Sequence, residues 1–235
     1  MCGRYVMTRA AGDLLSHFKA EDPAGLELRP NWNTAPTQDV PIVLERAEDG
    51  PADRQLVTAR WGLVPSWAKD EKIGSRLINA RSETILEKPS FRSAAVRRRA
   101  IVPADGYYEW QKTEDGKKIP TYLHGDTDEP LAFAGLYEFW PDPALDEDDP
   151  GKWLLSCTIL TTTTQDSLGH IHDRSPVIVP AAMYGDWLDP ETTGKDDVRQ
   201  MLEAFGEPVL IPRTVSDRVN SVRNNGPELI EPAAE

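Results

Sequence analysis

The chain opens MCGRYV, which puts Cys2 directly behind the initiator methionine. Chain ends are usually frayed, so a thiol gains little packing there. The position makes chemical sense once Met1 is removed, because a thiol and a free α-amine then share one Cα. The amine, with a pKa of about 8, is partly neutral at pH 7. The thiol starts near 8.5 and is lowered by nearby positive charge. An amine adds to an aldehyde and loses water to give an imine. A β-thiol then closes onto the imine carbon, and the product is a five-membered thiazolidine. The loss of water needs a group that can give and take a proton, such as Glu or His.

Four further stretches mix anchoring residues with reactive ones: "WGLVPSWAKD" at 61–70, "INARSE" at 78–83, "VPADGYYEW" at 102–110 and "IHDRSPVIV" at 171–179. Glu109 stands among aromatics, where burial would raise its pKa and suit it to proton transfer near neutrality. His172 precedes Asp173 and Arg174, and a neighbouring carboxylate can set its tautomer. Asn79 and Arg81 alternate along an extended segment, so they face one side together. Trp67 is either core or a stacking platform for a base. Cys157 lies in an apolar strand and reads as a buried structural thiol. His170 and His172 spell HxH, but no CxxC pair accompanies them and the two cysteines are far apart, so no metal site is expected. No GxxxxGK[ST] loop is present either, and no cofactor is called for.

Composition sets the frame for these residues. The 235 residues suit one large domain, with no internal repeat and no dividing linker. No run of about 18 apolar residues is present to span a membrane, and the start is too polar for a signal peptide. Two free cysteines fit a cytoplasmic protein. The net charge is −13, with 17 Arg to 9 Lys and 21 Asp to 18 Glu. An acid-rich, lysine-poor surface resembles proteins adapted to high salt, and it argues against a general nucleic-acid binder. Residues 73–101 are the exception. Seven bases (Arg76, Arg81, Lys88, Arg92, Arg97, Arg98, Arg99) against Glu83 and Glu87 make this segment +5, which leaves −18 elsewhere. A local basic zone of that kind can bind phosphates, or it is a solvated face next to a strand.

Periodicity gives the elements that must position the candidates. Residues 8–20 read as an amphipathic helix with Thr8 as N-cap. "LRPNWNTAPTQ" reads as a long ordered loop. "VPIVLER", "QLVTARWGLV", "IPTYLHG", "LAFAGLYEFW", "WLLSCTILTTTT" and "PVLIPRTV" read as strands. "RAIVPADGYYEWQK" reads as strand, turn and strand, and helices are predicted at 181–188 and 196–205. Short strands with few helices between them predict a single compact α+β domain over 1–235, mostly an antiparallel β-barrel-like sheet with a few flanking helices.

Taken in order, MCGR, WGLxPxW, NAR, the PADGxYEW hairpin, IHDRxP and the closing "VNSVRNNGPELIEP" resemble the SRAP family over essentially the whole chain. Its members are described as SOS-response-associated peptidases and abasic-site processing proteins. The resemblance implies a β-barrel-like α+β fold with a basic cleft for single-stranded DNA, working as a monomer. It implies that Cys2, freed of Met1, captures the ring-opened aldehyde of an abasic site as a thiazolidine DNA–protein crosslink. By the same resemblance Asn79 positions the amine or the sugar, Glu109 transfers protons and His172 assists ring opening. Arg4, Arg81 and Arg174 would bind phosphates, and Trp67 would stack on bases. The peptidase label is read as the loss of Met1. Position 68 is Ala where some relatives carry a second Trp, and position 175 is Ser where many carry Met or Arg. Two other readings stand beside this one. An N-terminal-nucleophile amidase would also use Cys2, and a non-catalytic single-strand binder would not need it.

Overall fold

The apolar runs of the sequence become the walls of a closed ring of strands. The computed structural model describes residues 2–46, 52–164 and 171–233. In chain order the elements are β1 (Tyr5–Met7), α1 (Ala11–Phe18), β2 (Asn31–Thr34), β3 (Asp39–Arg46), β4 (Asp53–Trp61) and β5 (Asn79–Arg81). Then follow α2 (Arg92–Arg97), β6 (Arg99–Ala104), β7 (Gly106–Lys112), β8 (Lys118–His124), β9 (Leu131–Pro141) and β10 (Trp153–Thr163). β11 (Arg174–Pro176), α3 (Tyr184–Leu188), α4 (Lys195–Ala204) and β12 (Ile211–Thr214) complete the chain. None of the described helices is long and apolar enough to cross a membrane.

β10, β4, β3, β6 and β9 pair in that order, and β9 pairs back onto β10, which closes a five-stranded barrel. An odd ring cannot alternate direction at every seam. One seam must be parallel, and it is β4 with β10, where Ser156 faces Arg60 and Cys157 faces Trp61. Ile42, Leu44, Leu56, Trp61, Ile101 and Phe133 are fully buried in the core, each worth about 1.5–3 kcal/mol of transfer free energy. The second sheet runs β12-β8-β7-β1-β2. The expectation of a mostly antiparallel, barrel-like α+β domain is met.

Three local expectations are corrected. The stretch 99–112 is two strands, but they are not a hairpin: β6 pairs with β3 and β9 in the barrel, while β7 pairs with β1 and β8 in the second sheet. Asp105 fixes this crossing by accepting from Thr8 N, Thr8 Oγ1 and Arg9 Nε at 2.7–2.8 Å. Gly106 is required beside it, since a Cβ there would meet the Leu123 carbonyl and the Tyr122 ring at 2.6 Å. Thr8 is therefore spent on Asp105 and is not the N-cap of α1. Ala10 holds that place without a side-chain bond. The helix nevertheless buries Leu14 and Phe18 as its periodicity requires. Finally, the "loop" at 31–34 is a strand. β2 pairs with β1, and Asn33, buried there, donates to the Ser221 and Asn224 carbonyls at 3.0 Å. Tertiary partners in the tail override the local turn chemistry of Asn and Pro.

The barrel also places the site. Ile159 of β10 pairs with Gly135 of β9 on one edge and with Asn79 of β5 on the other. Two residues on, Thr161 lies between Arg81 of β5 and Pro176 of β11. β10 thus runs past the ring and carries the NAR and DRSP segments on its two edges.

Candidate functional site

β1 lies between β2 and β7, with Tyr5 opposite Tyr107 and Tyr108 N–H donating to the Arg4 carbonyl at 2.9 Å. This antiparallel register lays the start of the chain along the strand that carries Glu109. Cys2 is fully buried, so this terminus is packed and not frayed. Asn79 Nδ2 donates to the Cys2 carbonyl at 2.7 Å, which ties β5 to the N-terminus across 77 residues of sequence. Asn79 Oδ1 is buried and has no hydrogen-bond partner among the described residues. Ala80 beside it is buried and Arg81 is exposed, as alternation on a strand requires.

The Cys2 thiol is pushed well above its ordinary value by burial, and the nearby Glu109 carboxylate adds to the rise. The expectation of a thiol lowered by positive charge is overturned, because desolvation outweighs any cation. Glu109 is 3% exposed, and burial raises its pKa while His172 pulls the other way. His172 Nε2 lies 4.0 Å from Glu109 Oε2. The other ring nitrogen, Nδ1, accepts the Arg174 backbone N–H at 3.0 Å and lies 2.8 Å from Asp173 Oδ1. A cavity of about 10 Å³, room for roughly one water, is lined by Tyr107, Glu109, Thr164, Ile171, His172 and Ser175 among others. His170 lies outside the described residues. A buried carboxyl group, an imidazole and a primary amine on Cys2 would together suffice for imine chemistry.

The expected DNA contacts fare differently from one another. Trp67 is 57% exposed, yet its loop is fixed from both sides. Trp140 Nε1 donates to the Ala68 carbonyl at 2.7 Å, and Ala68 packs with Val64 and Trp140 in a small apolar cluster. Gly62, at φ +131°, meets Gly74 so closely that a Cβ would come 2.6 Å from the Gly74 carbonyl oxygen. Arg81 is exposed on the same strand as Asn79. Arg4 Nη1 donates to Asn33 Oδ1 at 2.7 Å and to the Val219 carbonyl at 2.9 Å, with the guanidinium over Trp110. Arg174 is bound bidentately to Glu83 and is only 10% exposed.

Two residues near the site were missed by sequence reasoning. Glu83 stands inside the quoted INARSE but registered only as an acid in a basic zone. Its spacing from Asn79 and Arg81 was the available signal. Asn33, which anchors Arg4 and the tail, sits in a stretch whose Pro and Asn content hides a strand.

A family model described as "SOS response associated peptidase (SRAP)" matches residues 1–222. The chain is 42% identical over 233 residues to the abasic site processing protein YoqW of Bacillus subtilis, covering 98% of this chain and 99% of the relative. It is 30% identical over 268 residues to the abasic site processing protein HMCES of Gallus gallus, covering 99% of this chain and 78% of that one. A crystal structure of a Bacteroides thetaiotaomicron protein superposes with TM-score 0.82 at 24% identity, over 99% and 100% of the two chains. The whole-length match in sequence and fold establishes that the chain belongs to the SOS response associated peptidase (SRAP) family.

Proposed function

We propose that the protein captures abasic sites in single-stranded DNA by covalent attachment at Cys2. The observation that carries this reading is the Asn79–Cys2 hydrogen bond of 2.7 Å, which brings the NAR strand onto the N-terminus, close to buried Glu109. The naming of its relatives as abasic site processing proteins supports the same reading.

The geometry supports the following steps. Removal of Met1 frees the α-amine of Cys2, and Asn79 Oδ1, buried without a described partner, is the acceptor that orients it. The amine nitrogen adds to the aldehyde carbon of the ring-opened sugar. Glu109, whose pKa burial raises, gives its proton to the departing hydroxyl, water leaves, and the iminium N–H returns a proton to Glu109 to leave the neutral imine. His172, 4.0 Å from that carboxyl, handles the proton of sugar ring opening. The thiol then adds to the imine carbon, its proton passes to the ring nitrogen, and the thiazolidine closes. The net change is loss of one water. A thiol held protonated by burial favours amine-first attack and weighs against an amidase that needs a thiolate.

Trp67 stacks on bases beside the lesion, and Arg81 and Arg4 meet the backbone phosphates. The test is a denaturing gel of the purified protein with a single-stranded oligonucleotide carrying one abasic site. A heat-stable shifted band is expected from wild type and none from Cys2→Ala. The same band from Cys2→Ala, or none from wild-type protein lacking Met1 by intact mass, refutes the reading.

A further inference from the structure

Every N–H of Arg174 has an acceptor. Nε donates to Thr161 Oγ1 at 3.2 Å. Nη1 donates to Glu83 Oε1 at 3.1 Å and to Thr163 Oγ1 at 3.4 Å. Nη2 donates to Glu83 Oε2 at 2.9 Å and to the Thr161 carbonyl at 2.5 Å. These account for all five donors of a guanidinium, so none is left for a DNA phosphate in this arrangement. Glu83 supplies two of the acceptors and the counter-charge. A cation as covered as this one is costly without its carboxylate. Burial is the largest single influence and acts to raise the Glu83 pKa, but the bond and charge of Arg174, the backbone N–H of Glu83 itself and Thr163 together lower it, and the net shift is downward.

The main chain of the same arginine sets the histidine. Arg174 N–H donates to His172 Nδ1 at 3.0 Å. A neutral ring that accepts at Nδ1 carries its proton on Nε2, the nitrogen 4.0 Å from Glu109 Oε2. Asp173 Oδ1, 2.8 Å from Nδ1, favours the opposite tautomer. The Arg174 N–H and the Asp173 carboxylate therefore compete for one nitrogen, and the placement of the Arg174 backbone decides between them.

We propose that Glu83 is a positioning residue of the reactive site. By completing the donor set of Arg174 it holds that residue's backbone N–H against His172 Nδ1 and keeps Nε2–H directed at Glu109. The inference rests on the reading of Glu109 and His172 as the proton-transfer pair.

The test is Glu83→Gln, which keeps the shape and removes the charge. Adduct formation is expected to slow about tenfold, a coupling of ordinary size for residues in one network. Affinity for undamaged single-stranded DNA should stay within about twofold. In a His172→Ala background the same substitution should cost nothing further. An equal loss in that background, or tighter DNA binding with an unchanged rate, overturns the proposal. Nitrogen-15 NMR of labelled histidine supplies a readout independent of turnover: wild-type His172 carries its neutral proton on Nε2, and Glu83→Gln moves it toward Nδ1. Should wild type form no adduct, the capture reading fails, but an unmoved tautomer is what refutes the role of Glu83. If Glu83→Gln does not fold, Glu83→Asp, which keeps the charge on a shorter arm, carries the same tautomer measurement.

Discussion

Asn79→Ala tests whether the NAR strand holds the reacting end of the chain. The side chain donates to the Cys2 carbonyl at 2.7 Å in a part-buried setting. Alanine removes that bond and leaves the carbonyl of a fully buried residue without this donor. A net hydrogen bond is worth about 0.5–1.5 kcal/mol, and an unsatisfied buried acceptor costs about 1–3 kcal/mol. Part burial puts the loss near the overlap of the two ranges, about 1.4 kcal/mol. If all of it falls on the placement of the amine, adduct formation slows roughly tenfold, since 1.36 kcal/mol is a factor of ten in rate. If it falls on the fold instead, the melting midpoint drops by about 3–6 °C for a chain of this size. The assay is a single-turnover time course of the heat-stable adduct with an abasic-site oligonucleotide, run beside a thermal melt and an anisotropy titration with undamaged DNA. The expected pattern is a slower rate with unchanged affinity. A wild-type rate refutes the tether, and a parallel fall in affinity makes Asn79 a binding residue.

The remaining predictions address the other parts of the site and the fold. Burial raises Glu109 above its ordinary 4.5, so folding favours the protonated carboxyl, and the associated stability is lost as pH climbs through the raised value. Glu109→Gln should therefore gain in melting midpoint on wild type as pH rises above the ordinary carboxyl value of 4.5, while forming adduct more slowly; a difference that stays constant with pH contradicts the assignment. Trp67→Ala should weaken binding to single-stranded DNA about tenfold, the low end of base–aromatic stacking, with the melt unchanged because the ring is already 57% exposed. Unaltered anisotropy titrations would remove Trp67 from the interface. Gly62→Ala combines φ +131° with a Cβ 2.6 Å from the Gly74 carbonyl oxygen and should cost about 1–3 kcal/mol or more, read as a lowered midpoint. The acid-rich, lysine-poor composition predicts that molar salt leaves the fold intact, and a midpoint that falls with added salt would refute adaptation to it.

Much of this protein was legible in its residues. Alternation and apolar runs placed β3, β4 and β6 to β10, because strand periodicity is a local property. The order of short motifs identified the family, and the pairing of amine and thiol on Cys2 suggested the chemistry. What periodicity cannot carry is the partner of each strand. It read 99–112 as a hairpin, whereas Asp105 and Gly106 pass the chain from the barrel to the second sheet. It read Asn33 as loop, whereas β1 and the tail draw it into a strand. The same limit governs the site. Thiol chemistry alone suggested a value lowered by nearby positive charge, but the depth of Cys2 sets its pKa, and depth exists only after the sheets close over it. The family resemblance assigned Arg174 a phosphate contact, and only the tertiary structure shows that β10 sets Thr161 and Thr163 beside it and brings Glu83 within reach, so that each of its five donors has an acceptor. Residue types thus determined which reactions are possible. Tertiary structure decided which groups are dry, which are paired and which can move a proton, because desolvation and hydrogen-bond geometry depend on neighbours far away in the chain.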